Sequence, residues 1–434
     1  MSDAPVTLSQ VAREAGVSLA TASRAINGSA TRSVREDLRE RVLEAARRLA
    51  YSPDPSAQAM ARGRTTALGL VVHDIADPYF STIAAGVARA AERAGLIVTL
   101  ASTEHSSARE LAFVELARRQ RSRAIILAGG RLEPEGAGGA GGDGGADAAG
   151  GAGAGEAGTG GAGADAPEAD SAAEAAGVPE AVASAADDGG PASEPGALEA
   201  ALNAFQAAGG GVALVGQPIG GLPVVEIANA DGAADLARAL HEHGYRRFAV
   251  LAGPAGHRTA ADRTSGFTGA LAELGSPVAP QDVLTCPFTR DGGYTAMRDL
   301  IARADAGAVG AAAGAADGGA AADDAARGAA AGSAGRLPEL VFAVNDVMAV
   351  GAMAAVRDAG LSVPDDVAVA GFDDIHTLRD VSPGLTTVRI PLAEVGELAT
   401  DLALGKAGDA STPVRGEVVL RESTPALAAR NRRP

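Results

Sequence analysis

Short continuous apolar runs recur along the chain: LGLVVHD (68–74), IVTLAS (97–102), AIILAG (124–129), VALVG (212–216), VVEIA (224–228), RFAVLAG (247–253), LVFAVND (340–346), VAVAGFD (367–373) and TTVRIP (386–391). Runs of this length, rich in Val and Ile, predict strands buried on both faces. Helical periodicity fills most of the gaps, at 79–94, 106–121, 230–243, 260–274, 346–359 and 392–404. Regular β/α alternation predicts parallel sheets covered by helices. About ten strands exceed one comfortable sheet, so the spacing predicts two doubly wound lobes with a ligand between them, near the carboxyl ends of the strands.

The first fifty residues follow another pattern. Thr7 followed by Gln10 forms a Thr-x-x-Gln capping box. Leu8, Val11, Ala12 and Ala15 share one helical face, and Gly16 suits a left-handed stop. Ser18 caps a second helix whose inward face is Ala22, Ala25 and Ile26, and Leu38, Val42, Ala46 and Leu49 mark a third helix over about 36–49. Two short helices around a tight glycine turn form a helix-turn-helix. The second exposes Leu19, Ala20, Thr21, Ser23 and Arg24. Leu19 and Ala20 suit thymine methyls, Arg24 suits guanine or phosphate, and the hydroxyls suit phosphate oxygens. The same pattern also fits a small helical bundle with solvated polar faces. In YSPDPSAQAMARGR (51–64), Met60 beside arginines is either a wedge for a minor groove or a stray apolar residue in a linker.

Composition changes this picture in three places. Net charge is −17, which argues against a nucleic-acid partner until its location is read. Twelve acidic residues and no basic one lie between Glu135 and Glu194, and four acids with one arginine lie between Asp305 and Gly335. Residues 1–64 hold ten arginines against seven acids. The head is thus mildly basic, and screening over about 8–10 Å isolates it from distant acids. Residues 134–196 and 305–335 are almost entirely Ala, Gly, Asp and Glu, which predicts disordered inserts. The formal GxGxxG at 153–158 lies inside the first of them with no strand before it, so it predicts no dinucleotide site. The single cysteine, Cys286, excludes a disulfide framework. With no leading apolar segment or spanning run, the expected setting is the cytoplasm, with no membrane association. His241 and His243 point to different faces of one helix, and no catalytic set stands out, so neither metal, cofactor nor enzymatic activity is expected.

Several segments together resemble the LacI/GalR family of bacterial transcription regulators: TLSQVAREAGVSLATASRAIN, RVLEAARRLAYSPDPSAQAMARG, DPYF (77–80), ADRTSGF (261–267), FAVNDVMAVGAM (342–353), VAVAGFDD (367–374), LTTVRIPLAEVG and VVLRES. The resemblance implies an α/β protein with an all-α helix-turn-helix headpiece (1–52), a hinge helix (53–65) and a two-lobed core like periplasmic sugar-binding proteins (66–425), followed by a tail (426–434). Lobe 1 would take about 66–229 and 390–408, and lobe 2 about 230–389 and 409–425. It implies a homodimeric repressor on a palindromic double-stranded operator, released by a small effector, a sugar first and a nucleoside or purine second. Carried over, Leu19, Ala20 and Arg24 would read bases, with Ser9, Ser18, Thr21, Ser23 and Asn27 beside them and Met60 in place of the usual wedging leucine. Asp74, Tyr79, Phe80, Thr259, Arg263, Phe288, Asn345, Asp346 and Asp373 would line the effector pocket. Aromatic faces pack on the C–H side of a sugar, and buried Asp, Asn and Arg discriminate its hydroxyls. Three departures stand out: Ala228 where an aspartate is typical, Asp77 where Asn normally precedes the Pro, and Arg123-Ala124 for Asp-Gly.

Overall fold

The computed structural model describes residues 6–27, 34–52, 64–130, 196–316, 336–406 and 413–427. Met60 and the hinge segment 53–63, most of the acidic insert at 131–195, and residues 317–335 lie outside these.

Three helices open the chain: α1 (Leu8–Glu14), α2 (Leu19–Asn27) and α3 (Glu36–Arg48). The capping box is made from both sides, with Thr7 N–H donating to Gln10 Oε1 at 2.7 Å and Gln10 N–H to Thr7 Oγ1 at 3.4 Å. Gly16 turns the chain at φ +62°, a left-handed conformation open to glycine without penalty. Ser18 Oγ accepts Thr21 N–H at 3.1 Å and starts α2. Val11, Ala12, Ala15, Ala22, Ala25, Val42 and Ala45 form the core, with Ile26, Ala46 and Leu49 packed around it. Arg41 donates to the Ala15 carbonyl at 2.6 Å and ties α3 to the end of α1. A core this small depends on such ties.

Lobe 1 is a five-stranded parallel sheet in the order β2-β1-β3-β4-β5, from β1 (Ala67–Val72), β2 (Ile97–Ser102), β3 (Ala124–Gly129), β4 (Gly211–Gly216) and β5 (Val224–Val225). Alternation along β1 and β3 divides the core. Leu68, Leu70, Val72 and Ile126 face α4 (Pro78–Arg93), while Val71, Ile125 and Leu127 face α5 (Ser107–Arg119) and α6 (Ala197–Ala207). That double covering explains the unbroken apolar runs. Strand β2 is the exception. It is an edge, and Ile97 stays 70% exposed.

Lobe 2 is a four-stranded parallel sheet in the order β7-β6-β8-β9, from β6 (Phe248–Gly253), β7 (Val283–Thr285), β8 (Leu340–Ala343) and β9 (Ala368–Ala370). Its helices are α7 (Asn229–Glu242), α8 (Arg258–Glu273), α9 (Arg290–Ala316) and α10 (Asp346–Asp358). Strands β10 (Thr387–Arg389) and β11 (Glu417–Val419) pair antiparallel beside β9. The chain crosses between lobes near 225–229, near 389–392 into α11 (Leu392–Ala403) on lobe 1, and between 405 and 414. Two crossings are stitched together, since Ala228 N–H donates to the Val414 carbonyl and Val414 N–H to that of Glu226.

Two expectations need correction. Residues 305–316 are not a disordered insert: α9 continues through Ala316. Alanine has the highest helix propensity, so a run of it prolongs a helix already anchored by packing. Helix α6 and the start of α9 also escaped the pattern. Gly293 lies against the backbone of Met348, and Gly351 against that of Arg290, so α9 and α10 cross too closely for side chains there. Gly293 blurs the helical signal of α9 because the packing requires it.

Candidate functional site

In the head, α2 presents a mixed surface. Leu19 is 51% exposed at its first turn, beside exposed Ser18 and Ala20, while Thr21, Ser23, Arg24 and Asn27 are half-buried. Exposing a leucine on so small a domain forgoes burial, unless a partner covers it. Local bonds hold the polar groups: Ser18 Oγ lies 2.8 Å from Thr21 Oγ1, Arg24 Nε donates to the Ala20 carbonyl at 2.9 Å, and Asn27 Nδ2 to Ser23 Oγ at 3.3 Å. Ser9 is exposed on α1.

The second site is a cleft between the lobes, of about 350 Å³, at the carboxyl ends of β1, β3, β6 and β8. In each sheet the strand order reverses there, and this leaves an open crevice. Of the residues expected, Asp74, Tyr79, Phe80, Thr259, Arg263, Phe288, Asn345 and Asp373 line it.

Asp346 does not line the cleft. It is fully buried behind it, where Oδ1 accepts the Thr387 hydroxyl at 2.7 Å and Oδ2 accepts Ile375 N–H at 3.0 Å. Burial pushes its carboxyl well above the usual range, helped by nearby Asp373. Its work is to pin the start of α10 to β10. The cap of α10 is instead Asn345, whose Oδ1 accepts Met348 N–H at 2.9 Å.

Arg263 is the organising group on the lobe 2 side. It is 2% exposed, and its guanidinium donates from Nε to Asn229 Oδ1 at 2.8 Å, from Nη1 to the Val344 carbonyl at 2.7 Å and from Nη2 to Asp373 Oδ1 at 2.7 Å. Phe372 stacks beneath it at 3.9 Å. Asn229 was not anticipated. Ala228 cannot supply the polar side chain typical of that position, and Asn229 directly after it does. Burial pushes Asp373 up to about 6, against the lowering pull of Arg263. Asp373 and Asp374 both have positive φ, +114° and +54°, a strained pair at the site.

Lobe 1 contributes rings and carboxylates. Asp77 caps α4, with Oδ1 accepting Tyr79 N–H at 2.9 Å, and also faces the cleft, where burial raises its carboxyl. Burial likewise raises the Tyr79 phenol. His73 stacks on His105 at 4.2 Å and meets Phe80 edge-on at 5.7 Å. From lobe 2, His257 approaches His105 edge-on at 6.3 Å and Phe288 at 4.7 Å. Three of the six histidines therefore meet at this one place, which spacing along the chain cannot reveal. Burial holds His105 below its ordinary value against the raising pull of Glu110 and Asp74, and burial, helped by nearby His105 and Arg263, holds His257 down to about 4. Among the described residues no His, Cys, Asp and Glu cluster is arranged to hold a metal ion. Cys286 is buried just before Pro287 and Phe288, and burial pushes its thiol up.

Known proteins match this arrangement in tandem. Residues 7–54 match the bacterial regulatory proteins of the lacI family, and residues 237–424 match the periplasmic binding protein-like domain. The chain thus carries a lacI-family head and a periplasmic binding protein-like body. It is 28% identical over 410 residues to the HTH-type transcriptional regulator GalS of Salmonella typhimurium, covering 93% of this chain and 91% of that one. It is 26% identical over 426 residues to the HTH-type transcriptional repressor CytR of Escherichia coli, covering 97% of each. Its fold matches the Lac repressor dimer bound to operator and the anti-inducer ONPF, with a TM-score of 0.66 and 20% identity over 98% of this chain and all of that one. It also matches the transcriptional regulator CelR–cellobiose complex, with a TM-score of 0.53 and 25% identity over 96% and 99% of the two chains. With these two parts, the protein pairs a DNA-reading head with a ligand-binding body.

Proposed function

We propose that this chain is a cytoplasmic, homodimeric repressor, not an enzyme, that leaves a palindromic operator when a small sugar-like effector closes its two lobes. The observation that carries the reading is the pairing of an outward Leu19, beside Ala20 and Arg24, with an interlobe cleft built around Arg263 and aromatic rings. Leu19, Ala20 and Arg24 contact base edges, and Ser9, Ser18, Thr21, Ser23 and Asn27 set position on the phosphates. Met60 wedges the minor groove. In the cleft, Tyr79, Phe80 and Phe288 cover the apolar side of the effector, while Asp74, Thr259, Arg263, Asn345 and Asp373 take its hydroxyls. The cellobiose complex of the similar regulator CelR supports a sugar.

The second copy has a natural seat. Strand β2 is an edge with Ile97 and Leu100 exposed, and an uncovered apolar edge invites pairing. Effector bound between the lobes favours one interlobe angle, and through the dimer that angle sets the spacing of the two heads. The test is fluorescence anisotropy on a palindromic operator selected from a random pool, with salt and sugar titrated. Affinity should fall steeply with salt, and one sugar should release the DNA. A flat salt response, or no selected palindrome, would overturn the proposal.

A further inference from the structure

The charge of the cleft says which effectors it admits. Its lining holds four carboxylates, Asp74, Asp77, Glu104 and Asp373, against one guanidinium, Arg263. Arg263 has already given three of its N–H donors to protein groups and shares its charge with Asp373 at 2.7 Å. Arg109 pairs with Glu104 at 2.9 Å but does not line the cleft. Where a receptor for phosphate needs a cation, this wall places imidazoles packed ring against ring. His257 is the informative one. It is 5% exposed, its ring lies against Gly130 across the interlobe gap, and its Nδ1 has no hydrogen-bond partner. A neutral imidazole has one acceptor nitrogen, which Nδ1 supplies when Nε2 carries the proton. A hydroxyl can donate to it. A phosphate dianion or a carboxylate offers only acceptors, and burial leaves that mismatch uncompensated.

Building on the sugar-effector reading, we propose that the cleft selects an uncharged polyol of about one ring and rejects the same molecule carrying phosphate or carboxylate, with His257 accepting a hydroxyl of the bound effector. The volume of about 350 Å³ lies at the small end of ligand pockets, which favours a compact effector. Like charge in a confined low-dielectric space is felt far more than in water. The carboxylates of Asp77 and Asp373 therefore act together with His257 as an anion filter.

The experiment is calorimetry on the full-length protein at pH 7.5 with matched probes: ribose and ribose 5-phosphate, glucose and glucose 6-phosphate, galactose and galacturonate, and cellobiose. At least one free sugar should bind, and its anionic partner should bind at least a hundredfold more weakly. His257→Arg should narrow that gap to within tenfold by supplying a cation. Asp77→Asn, a milder change, should narrow it severalfold. An anionic probe that binds as well as its free sugar overturns the filter while leaving a sugar-responsive regulator in place. A gap unchanged in both variants removes these residues from it. If no probe binds, the sugar reading fails and the filter fails with it.

Discussion

Lobe 2 meets the cleft with bonds already made, for Arg263 is held by Asn229, the Val344 carbonyl and Asp373, and rests on Phe372. Lobe 1 meets it with Tyr79, Phe80, His73 and His105, which touch one another mainly through ring faces and edges. A hydrogen-bonded knot of fixed geometry positions a ligand, whereas a ring wall accommodates it and excludes water. The difference teaches how one cleft can be both a rigid reference and an adaptable cover. Lobe 2 also carries two groups that titrate in opposite directions, His257 and Asp373.

Breaking the knot should have the largest effect. Arg263→Ala leaves Asp373, Asn229 and the Val344 carbonyl buried without their donor, so urea unfolding should show a loss of about 3–5 kcal/mol. A loss under about 1 kcal/mol would mean that the knot is not the rigid side. The next effect tests the opposing titrations. His257 has a folded value near 4, below its ordinary 6.5, so the unfolded chain takes up the proton first. Its share of stability is full above about pH 6.5 and is lost as pH falls toward 4. Asp373, raised to about 6 from 3.8, runs the other way, gaining stability as pH falls from 6 toward 3.8. His257→Gln should therefore gain about 2 kcal/mol on the wild type between pH 7.5 and pH 5, seen in denaturant melts at both values. Parallel pH curves would contradict the assignment.

Two smaller effects sharpen the contrast. Tyr79→Leu thins the ring wall while keeping its bulk, and the cost should be about tenfold in affinity for the free sugar, measured by calorimetry. An undiminished affinity would leave the wall as packing alone. Asn345→Ala removes the cap of α10, and chemical denaturation should register about 1 kcal/mol, well below the Arg263 effect.

Much of this was legible in the chain, and the limits are physical. Strands buried on both faces announce themselves, as AIILAG does, because both sets of alternating residues are apolar. The head was readable to the level of its caps, since Thr7, Gln10, Gly16 and Ser18 act within a few residues of themselves. What failed was what depends on distant partners. Gly293 looks like a helix breaker until α9 and α10 are seen to cross on it. Asp346, one residue from a true lining side chain, points to Thr387 and not to the cleft. His73 and His105 are brought together by the pairing of β1 with β2, and His257 joins them only when the lobes meet.

Cys286 gives this molecule a gauge of its own motion. It is the one sulfhydryl in the chain, it lies two residues from Phe288, and its surroundings keep it protonated and shielded from solvent. A thiol reagent can react with it only during excursions that uncover that stretch. The rate of labelling in the unmodified protein is thus a readout of breathing at the cleft wall, obtained without adding a probe anywhere else.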